Sequence, residues 1–459
     1  MEVIAYLLFL PLVACTVLLL LLSALKPSKA RTSGGVQVQQ LPPPPPAVPV
    51  VGPLLWLVRA RNRLEPSIRE LHRRHGPVLA LRFLSPRPAV FVSGRGATHR
   101  ALVQRGPAFA SRPPAIAPFR VLSSGQSTAL VSDLACRGKE DGGAVAVSEC
   151  LQLAMFSLLT YMCFGQRLHG RHVREIEAVQ RELFASYIGF QVFAFCPAFT
   201  KLVFLRRWKK VPSIRRRQEE LFLPLISARR RGSGDSCMSY CYRALTDAEM
   251  VSLCTEFLTA SVDTTVTALQ WIMANLVRQP EVQSKLLDEI DAVAAGSGEN
   301  RIAEVDLKSM PYLKAVVLEG LRRHPPAHFL LSHAAVEETS LDGHRVPAAT
   351  PVNFSVADVS LDETVWERFV NGGGGVGVDL TGSREIKMMP FGVGRRICPG
   401  LSLALLHLEY FVANLVREFE WGTVAGVGVD LGECPEFTVT MERPLRALVA
   451  RRWRAAVST

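Results

Sequence analysis

Residues Phe391-Gly-Val-Gly-Arg-Arg-Ile-Cys398-Pro-Gly400 set a single cysteine inside a glycine-rich turn, and an apolar run with helical spacing follows from Leu401. Gly392, Gly394 and Gly400 allow positive φ and a close approach of the backbone to a flat ligand. Pro399 suits the first position of a helix, which places Cys398 at a helix N-terminus. That position lowers a thiol's pKa and favours thiolate, and a thiolate there can bind iron axially. An isolated cysteine in a tight loop is ordinarily a buried, inert side chain. Here Phe391, Gly394, Arg396, Cys398 and Gly400 coincide at fixed spacing, and the ligand reading prevails.

Outward from this turn, the chain reads as mainly α with a small β portion. Helical spacing is predicted over 95–105, 148–164, 173–188, 213–231, 246–278, 280–294, 311–323 and 399–418, with a further helical stretch at 67–75. The segment 246–278 is apolar on nearly all faces, the mark of a helix through the centre of a protein. Two β-like runs, 78–84 and 89–92, flank Ser85-Pro-Arg-Pro88 and predict a hairpin. Loops are expected at 137–144, 230–240 and the glycine run 372–375, which lacks the Gly-Lys-Ser/Thr ending of a phosphate loop.

The 459 residues are 48% hydrophobic and 20% charged, and the mean hydropathy of +0.19 excludes a disordered chain. The net charge of +12 favours anionic partners. No aromatics interleave with the triplets 215–217 and 229–231, so these read as solvated or membrane-facing surface and not as a nucleic-acid site. Ten cysteines without a Cys-x-x-Cys pair exclude a zinc ribbon and suit a reducing compartment.

No residue from Val3 to Leu25 is charged, and the run is long enough to span a hydrocarbon core about 30 Å thick. A cleaved signal peptide is the rival reading. The basic cluster Lys26, Lys29 and Arg31 follows the run and none precedes it, which favours an anchor with the body in the cytosol. Residues 26–53 form a basic hinge with five consecutive prolines at 42–46, stiff and non-helical. The body is then 54–459.

Two further motifs carry chemistry. Glu319 and Arg322 lie three residues apart on one helix face among Val316, Val317, Leu318 and Leu321, so the pair is expected to be buried. A buried pair needs further partners for its remaining hydrogen bonds. In Ala260-Ser-Val-Asp263-Thr264-Thr265, an acid and hydroxyls sit in an apolar helix, where desolvation is costly unless they are used. Taken alone, this segment favours plain hydrogen bonding of the hydroxyls to the helix backbone.

With these motifs together, the chain resembles the cytochrome P-450 haem-thiolate monooxygenases, most of all the plant microsomal A-type members. The resemblance implies a cytochrome P-450 fold behind an N-terminal transmembrane helix, and haem b with Cys398 as the axial ligand. Arg396 then contacts a propionate, and His333, after the Pro325-Pro326 turn, matches a second propionate contact. Phe391, Gly394 and Gly400 belong to the haem-binding loop. Asp263 relays protons and Thr264 steadies oxygen. Arg368, in Trp366-Glu-Arg-Phe369, is the third member of the Glu319–Arg322 network, although the family's proline is absent there.

The implied reaction inserts one atom of O2 into a small hydrophobic metabolite. NADPH–cytochrome P-450 reductase supplies the electrons at the endoplasmic reticulum membrane. One departure stands out. The family's Trp-x-x-x-Arg helix, which holds propionates and forms much of the reductase-docking face, has no counterpart: no tryptophan occurs from 57 to 207, and the region 127–144 runs through Asp141-Gly-Gly. A membrane-anchored haem-binding or structural protein with little or no turnover is therefore the alternative.

Overall fold

The structure, a computed structural model, describes residues 64–81, 88–111, 144–194, 197–231, 245–297, 302–359, 366–370, 377–435 and 437–452. The anchor and hinge expected over 1–53, the glycine run, and residues 127–143, where loss of the Trp-x-x-x-Arg helix is expected, lie outside the described residues. The chain divides into two compact units.

One unit contains residues 64–111 and 329–359 and is built on a four-stranded sheet. The expected hairpin forms: Val78–Leu81 runs antiparallel to Ala89–Val92, with Val78 opposite Val92. Pro351–Phe354 adds in parallel, with Val352 opposite Val90, and His333–Ala334 closes the far edge. These last two strands were not expected: His333–Ala334 has only two residues, and Pro351–Phe354 opens on a proline. Helix Leu64–His75 covers the sheet through Ile68, which clusters with Leu79, Leu81 and Phe91. Arg100 forms a bidentate pair with Asp342 at 2.6 and 2.7 Å.

The other unit contains residues 144–328 and 366–452 and holds the large core. Its axis is the central helix Asp247–Arg278. A capping box starts it: the Thr246 hydroxyl accepts from the Glu249 N–H at 3.3 Å, and the Glu249 carboxylate accepts from the Thr246 N–H at 2.9 Å. The first half of this helix exposes Leu253, Glu256 and Ala260, whereas every residue from Thr265 to Val277 is buried. All-round burial thus belongs to the second half alone. Along its length the helix packs against Val147–Phe164, Leu205–Arg231, Pro311–Arg323 and Leu401–Glu418.

Among the described residues, Val147–Phe164 is the one helix long and apolar enough to cross a membrane; 56% of it is buried and it packs on the central helix. Helix Leu205–Arg231 begins eight residues before the expected 213 and runs through Pro212 and Pro224. Burial of Val211, Ile214, Phe222 and Ile226 outweighs the local proline penalty. Arg215 corrects the reading of the basic triplet as solvated surface. It is buried, and it donates to Glu219, to the Ser252 hydroxyl and to the Ala248 carbonyl.

The C-terminal part adds a sheet of Ala144–Ala146, Arg446–Arg451 and Phe419–Thr423, and a separate two-stranded hairpin, Glu433–Pro435 with Val439–Met441.

Candidate active site

The cysteine loop is shaped by its own backbone. Gly392 (φ 71°) and Gly394 (φ 73°) take the left-handed conformation, which a side chain would strain. The Gly392 N–H donates to the Met389 carbonyl at 3.0 Å, and the Cys398 N–H donates to the Phe391 carbonyl at 2.9 Å. That second bond ties Cys398 to a residue seven positions earlier and keeps it out of the helix. The helix begins at Leu401 with Gly400 as its cap, so Pro399 is not its first residue. One face of Cys398 is open to solvent; it is the exposed member of the five described cysteines. The other face packs against the loop, and this desolvation raises the thiol above its ordinary value, against a smaller lowering by the Gly400 N–H. The Gly400 N–H at the helix cap acts in the expected lowering sense, and desolvation by the loop outweighs it.

The loop has a support that the sequence reading did not single out. Asp379 accepts hydrogen bonds from Ser383 and Thr381, which hold its carboxyl well below the usual carboxylate range. This turn places Gly382 against Val393 of the cysteine loop, where an added Cβ would stand 2.7 Å from the Val393 Cγ1. Asp-x-Thr followed by Gly-Ser was its only sequence signal. Arg395 and Arg396 lie exposed on the turn before Cys398.

Glu319 and Arg322 are buried, and their pairing is bidentate: Arg322 Nε to Glu319 Oε2 at 2.7 Å and Nη2 to Oε1 at 2.8 Å. Arg368, on the single turn Trp366–Phe369, brings its Nε within 3.4 Å of Glu319 Oε2. One carboxylate thus serves two guanidinium groups, as a buried charge requires.

Thr264 and Asp263 lie where the central helix changes from amphipathic to buried. The Thr264 hydroxyl donates to the Ala260 carbonyl at 2.7 Å, and the Ser261 hydroxyl donates to the Phe257 carbonyl. Both hydroxyls therefore make the backbone bonds that the helix alone would favour. Asp263, half-buried, lines a shallow cleft with room for about one water, together with Gln152, Gln180, Arg181 and Phe184. His333 belongs to the sheet unit. It is buried, its Nδ1 is 2.8 Å from the Phe109 carbonyl, and Phe354 meets its ring edge-on.

A flat metallocycle suits the larger unit's donors. Among the described residues no three His, Cys, Asp or Glu side chains cluster as a protein-held metal needs. The loop offers one exposed thiol, which would hold the iron of a haem. A mainly helical body with this loop defines a haem-thiolate class of protein.

The Cytochrome P450 family model matches residues 42–133 and 122–448. Cytochrome P450 89A9 of Arabidopsis thaliana is 37% identical, covering 90% of this chain and 94% of that protein. Flavonoid 3'-monooxygenase of Arabidopsis thaliana is 34% identical over 46% of this chain and 43% of its own length. A zebra fish cytochrome P450 solved with progesterone superposes with a TM-score of 0.65 at 20% identity, covering 85% of this chain and 99% of that one. The chain belongs to the cytochrome P450 family. It is a plant cytochrome P450 monooxygenase with the P450 fold, and its cofactor is haem bound through a cysteine thiolate.

Proposed function

We propose that this chain inserts one atom of O2 into a small hydrophobic plant metabolite, with electrons from NADPH delivered by NADPH–cytochrome P-450 reductase. The observation that carries this reading is Cys398: an exposed thiol in a glycine loop whose backbone bonds leave it facing outward. Haem, when bound, supplies the oxidative chemistry, and the protein's part is to orient, to exclude water and to move protons. Cys398 would hold the haem iron through its sulfur. Phe391, Gly394 and Gly400 shape the loop against the ring, and Arg396 and His333 are assigned to the propionates. Asp263 holds and passes a proton at its carboxylate, and Thr264 turns its hydroxyl from the Ala260 carbonyl toward the reacting group. Glu319, Arg322 and Arg368 maintain the frame around the loop.

In the same reading, residues 1–25 anchor the chain in the endoplasmic reticulum membrane by a single pass, 26–53 form the hinge, and 54–459 form the cytosolic catalytic domain. The uncharged run followed by basic residues supports that address.

A second reading, haem binding with little turnover, has its own support. The alignment to Cytochrome P450 89A9 extends over 481 positions yet covers 90% of a 459-residue chain, so several tens of positions face no residue here. The absence of tryptophan from 57 to 207 fits loss of the Trp-x-x-x-Arg helix. Each charge-assisted propionate bond is worth about 1.5–3 kcal/mol, so loss of one weakens haem affinity about 10- to 150-fold. The test records the ferrous-carbonyl spectrum of membranes expressing the chain and compares NADPH-plus-reductase with peroxide as the driver of turnover. A thiolate-type Soret band with brisk NADPH turnover supports the monooxygenase. The band with turnover on peroxide alone supports the second reading, and no such band overturns both.

A further inference from the structure

Cys163 lies in the last turn of helix Val147–Phe164, and Cys254 lies in the first half of the central helix, 91 positions later. Their sulfurs are 3.3 Å apart, and the two thiols share a hydrogen bond. Both side chains are buried in the large core. Neither is among the residues assigned to haem or to the Glu319 network. A single buried cysteine is ordinarily a small apolar side chain. Two buried thiols in contact can do one thing more, which is to bond to each other.

A disulfide holds its sulfurs about 2.05 Å apart, so this pair has about 1.3 Å to close. The helices that carry it already pack on each other. Burial excludes bulky oxidants, yet the pair is not deep. Tyr161, two residues before Cys163, is 46% exposed, and Leu253, next to Cys254, is 39% exposed. The helix stops directly after Cys163 and Phe164, with Gly165 in the left-handed conformation as its cap (φ 69°). A neutral oxidant as small as hydrogen peroxide therefore has a short way in from the surface. The loop that the bond would close contains helices Gly170–Phe190 and Leu205–Arg231. Closing a long loop removes conformational entropy from the unfolded chain and so favours the folded one.

We propose that Cys163 and Cys254 form a redox-responsive dithiol, which hydrogen peroxide converts to a disulfide that pins the central helix to helix Val147–Phe164 and makes the protein harder to unfold. One thiol sulfur attacks peroxide: an S–O bond forms, the O–O bond breaks, and hydroxide leaves with the thiol proton as water. The second thiol attacks the resulting sulfenic acid: an S–S bond forms, the S–O bond breaks, and the hydroxyl leaves with the second thiol proton as water. The two thiols together give up two electrons and two protons, and one peroxide is reduced to two waters. With the second thiol already in contact, disulfide formation outruns further oxidation of the first sulfur. In a reducing compartment the dithiol is the resting form, and the disulfide is transient.

The test treats the full-length haem-loaded protein with hydrogen peroxide at concentrations that leave its Soret band intact. Free thiols are then blocked with N-ethylmaleimide in denaturant, and peptides are mapped without reduction. The expected result is a peptide containing Cys163 joined to one containing Cys254, and dithiothreitol separates them. The apparent melting midpoint of the oxidised protein rises by about 5 °C, and dithiothreitol reverses the rise. Cys163→Ala and Cys254→Ala each abolish the linked peptide and the rise. Maleimide on both residues of the peroxide-treated protein overturns the proposal. Sulfinic acid at either residue without a linked peptide overturns it as well. A linked peptide with an unchanged midpoint supports the dithiol and overturns its effect on unfolding.

Discussion

In the helix Pro311–Arg323, the Glu319 carboxylate is fully buried, and Arg322 and Arg368 meet its oxygens. In the loop 391–400, Cys398 stands partly in solvent and the backbone around it is bonded to itself. Both regions carry polar groups, and they use them in opposite directions. The helix closes its charges within the protein, where they hold elements together. The loop satisfies its amides locally and leaves one reactive atom for a partner from outside. The Cys398 sulfur keeps one face open for a partner, whereas the Glu319 carboxylate is fully engaged within the protein.

The contrast is broken or sharpened by four experiments. Cys398→Ala has the largest effect on chemistry: the thiolate-type ferrous-carbonyl band is lost altogether, while the melting of the haem-free protein changes by no more than about 0.5 kcal/mol, as for an exposed side chain. A variant that keeps the band refutes the assignment of Cys398. Glu319→Ala is the reverse case. It leaves the buried Arg322 and the half-buried Arg368 without their carboxylate and costs about 3–5 kcal/mol in denaturant unfolding. Arg368→Ala, which removes the more exposed partner at 3.4 Å, costs clearly less. Equal losses from the two variants would mean that Arg368 is as essential as the buried pair.

Gly320→Ala asks whether the helix is sensitive through packing as well as charge. Its new Cβ would stand 2.5 Å from Ile272 Cγ1 on the central helix, and overpacking of this kind costs about 1–3 kcal/mol. A neutral result would show that the two helices separate freely. The smallest effect is on acid stability. Burial pushes Glu433 upward, but hydrogen bonds to His324 and His328 outweigh it and hold the carboxyl at about 2, below the ordinary 4.5. Its contribution is therefore present above pH 4.5 and lost as pH falls toward 2. Burial lowers His324 below its ordinary 6.5, so its contribution likewise declines as pH falls below 6.5. After solvent screening, Glu433→Gln should reduce the low-pH loss of stability by about 1 kcal/mol. A pH profile unchanged in that variant would remove Glu433 from the acid response.

Much of this arrangement was legible in the sequence because its signals are local. The hairpin at 78–92, the helices, and the Glu319–Arg322 pair follow from spacing within a few residues. Arg368 was reached through family resemblance, since nothing in Trp366-Glu-Arg-Phe points to a carboxylate 49 positions away. The start of the helix after Cys398 was misplaced because proline and glycine chemistry favoured residue 399, whereas the bond from Cys398 to Phe391 delays the helix to Leu401. The thiol itself depends on tertiary packing: the Gly400 N–H at the helix cap lowers it, and desolvation by the surrounding loop raises it by more.

By itself the sequence determined which segments are helical, which face of each is apolar, where the cysteine loop lies and which acid and arginine share a helix face. Periodicity and backbone conformational limits operate over a few residues, and they need no knowledge of the rest of the chain. Only the tertiary structure decided which polar groups are taken out of water. Arg215 of a basic triplet became buried by bonding to the central helix. His324 was stacked on Trp271, and Glu433 reached it from 109 positions away. Desolvation depends on the elements packed around a group, so the same residue in the same local sequence is a solvated charge or a structural tie according to what covers it.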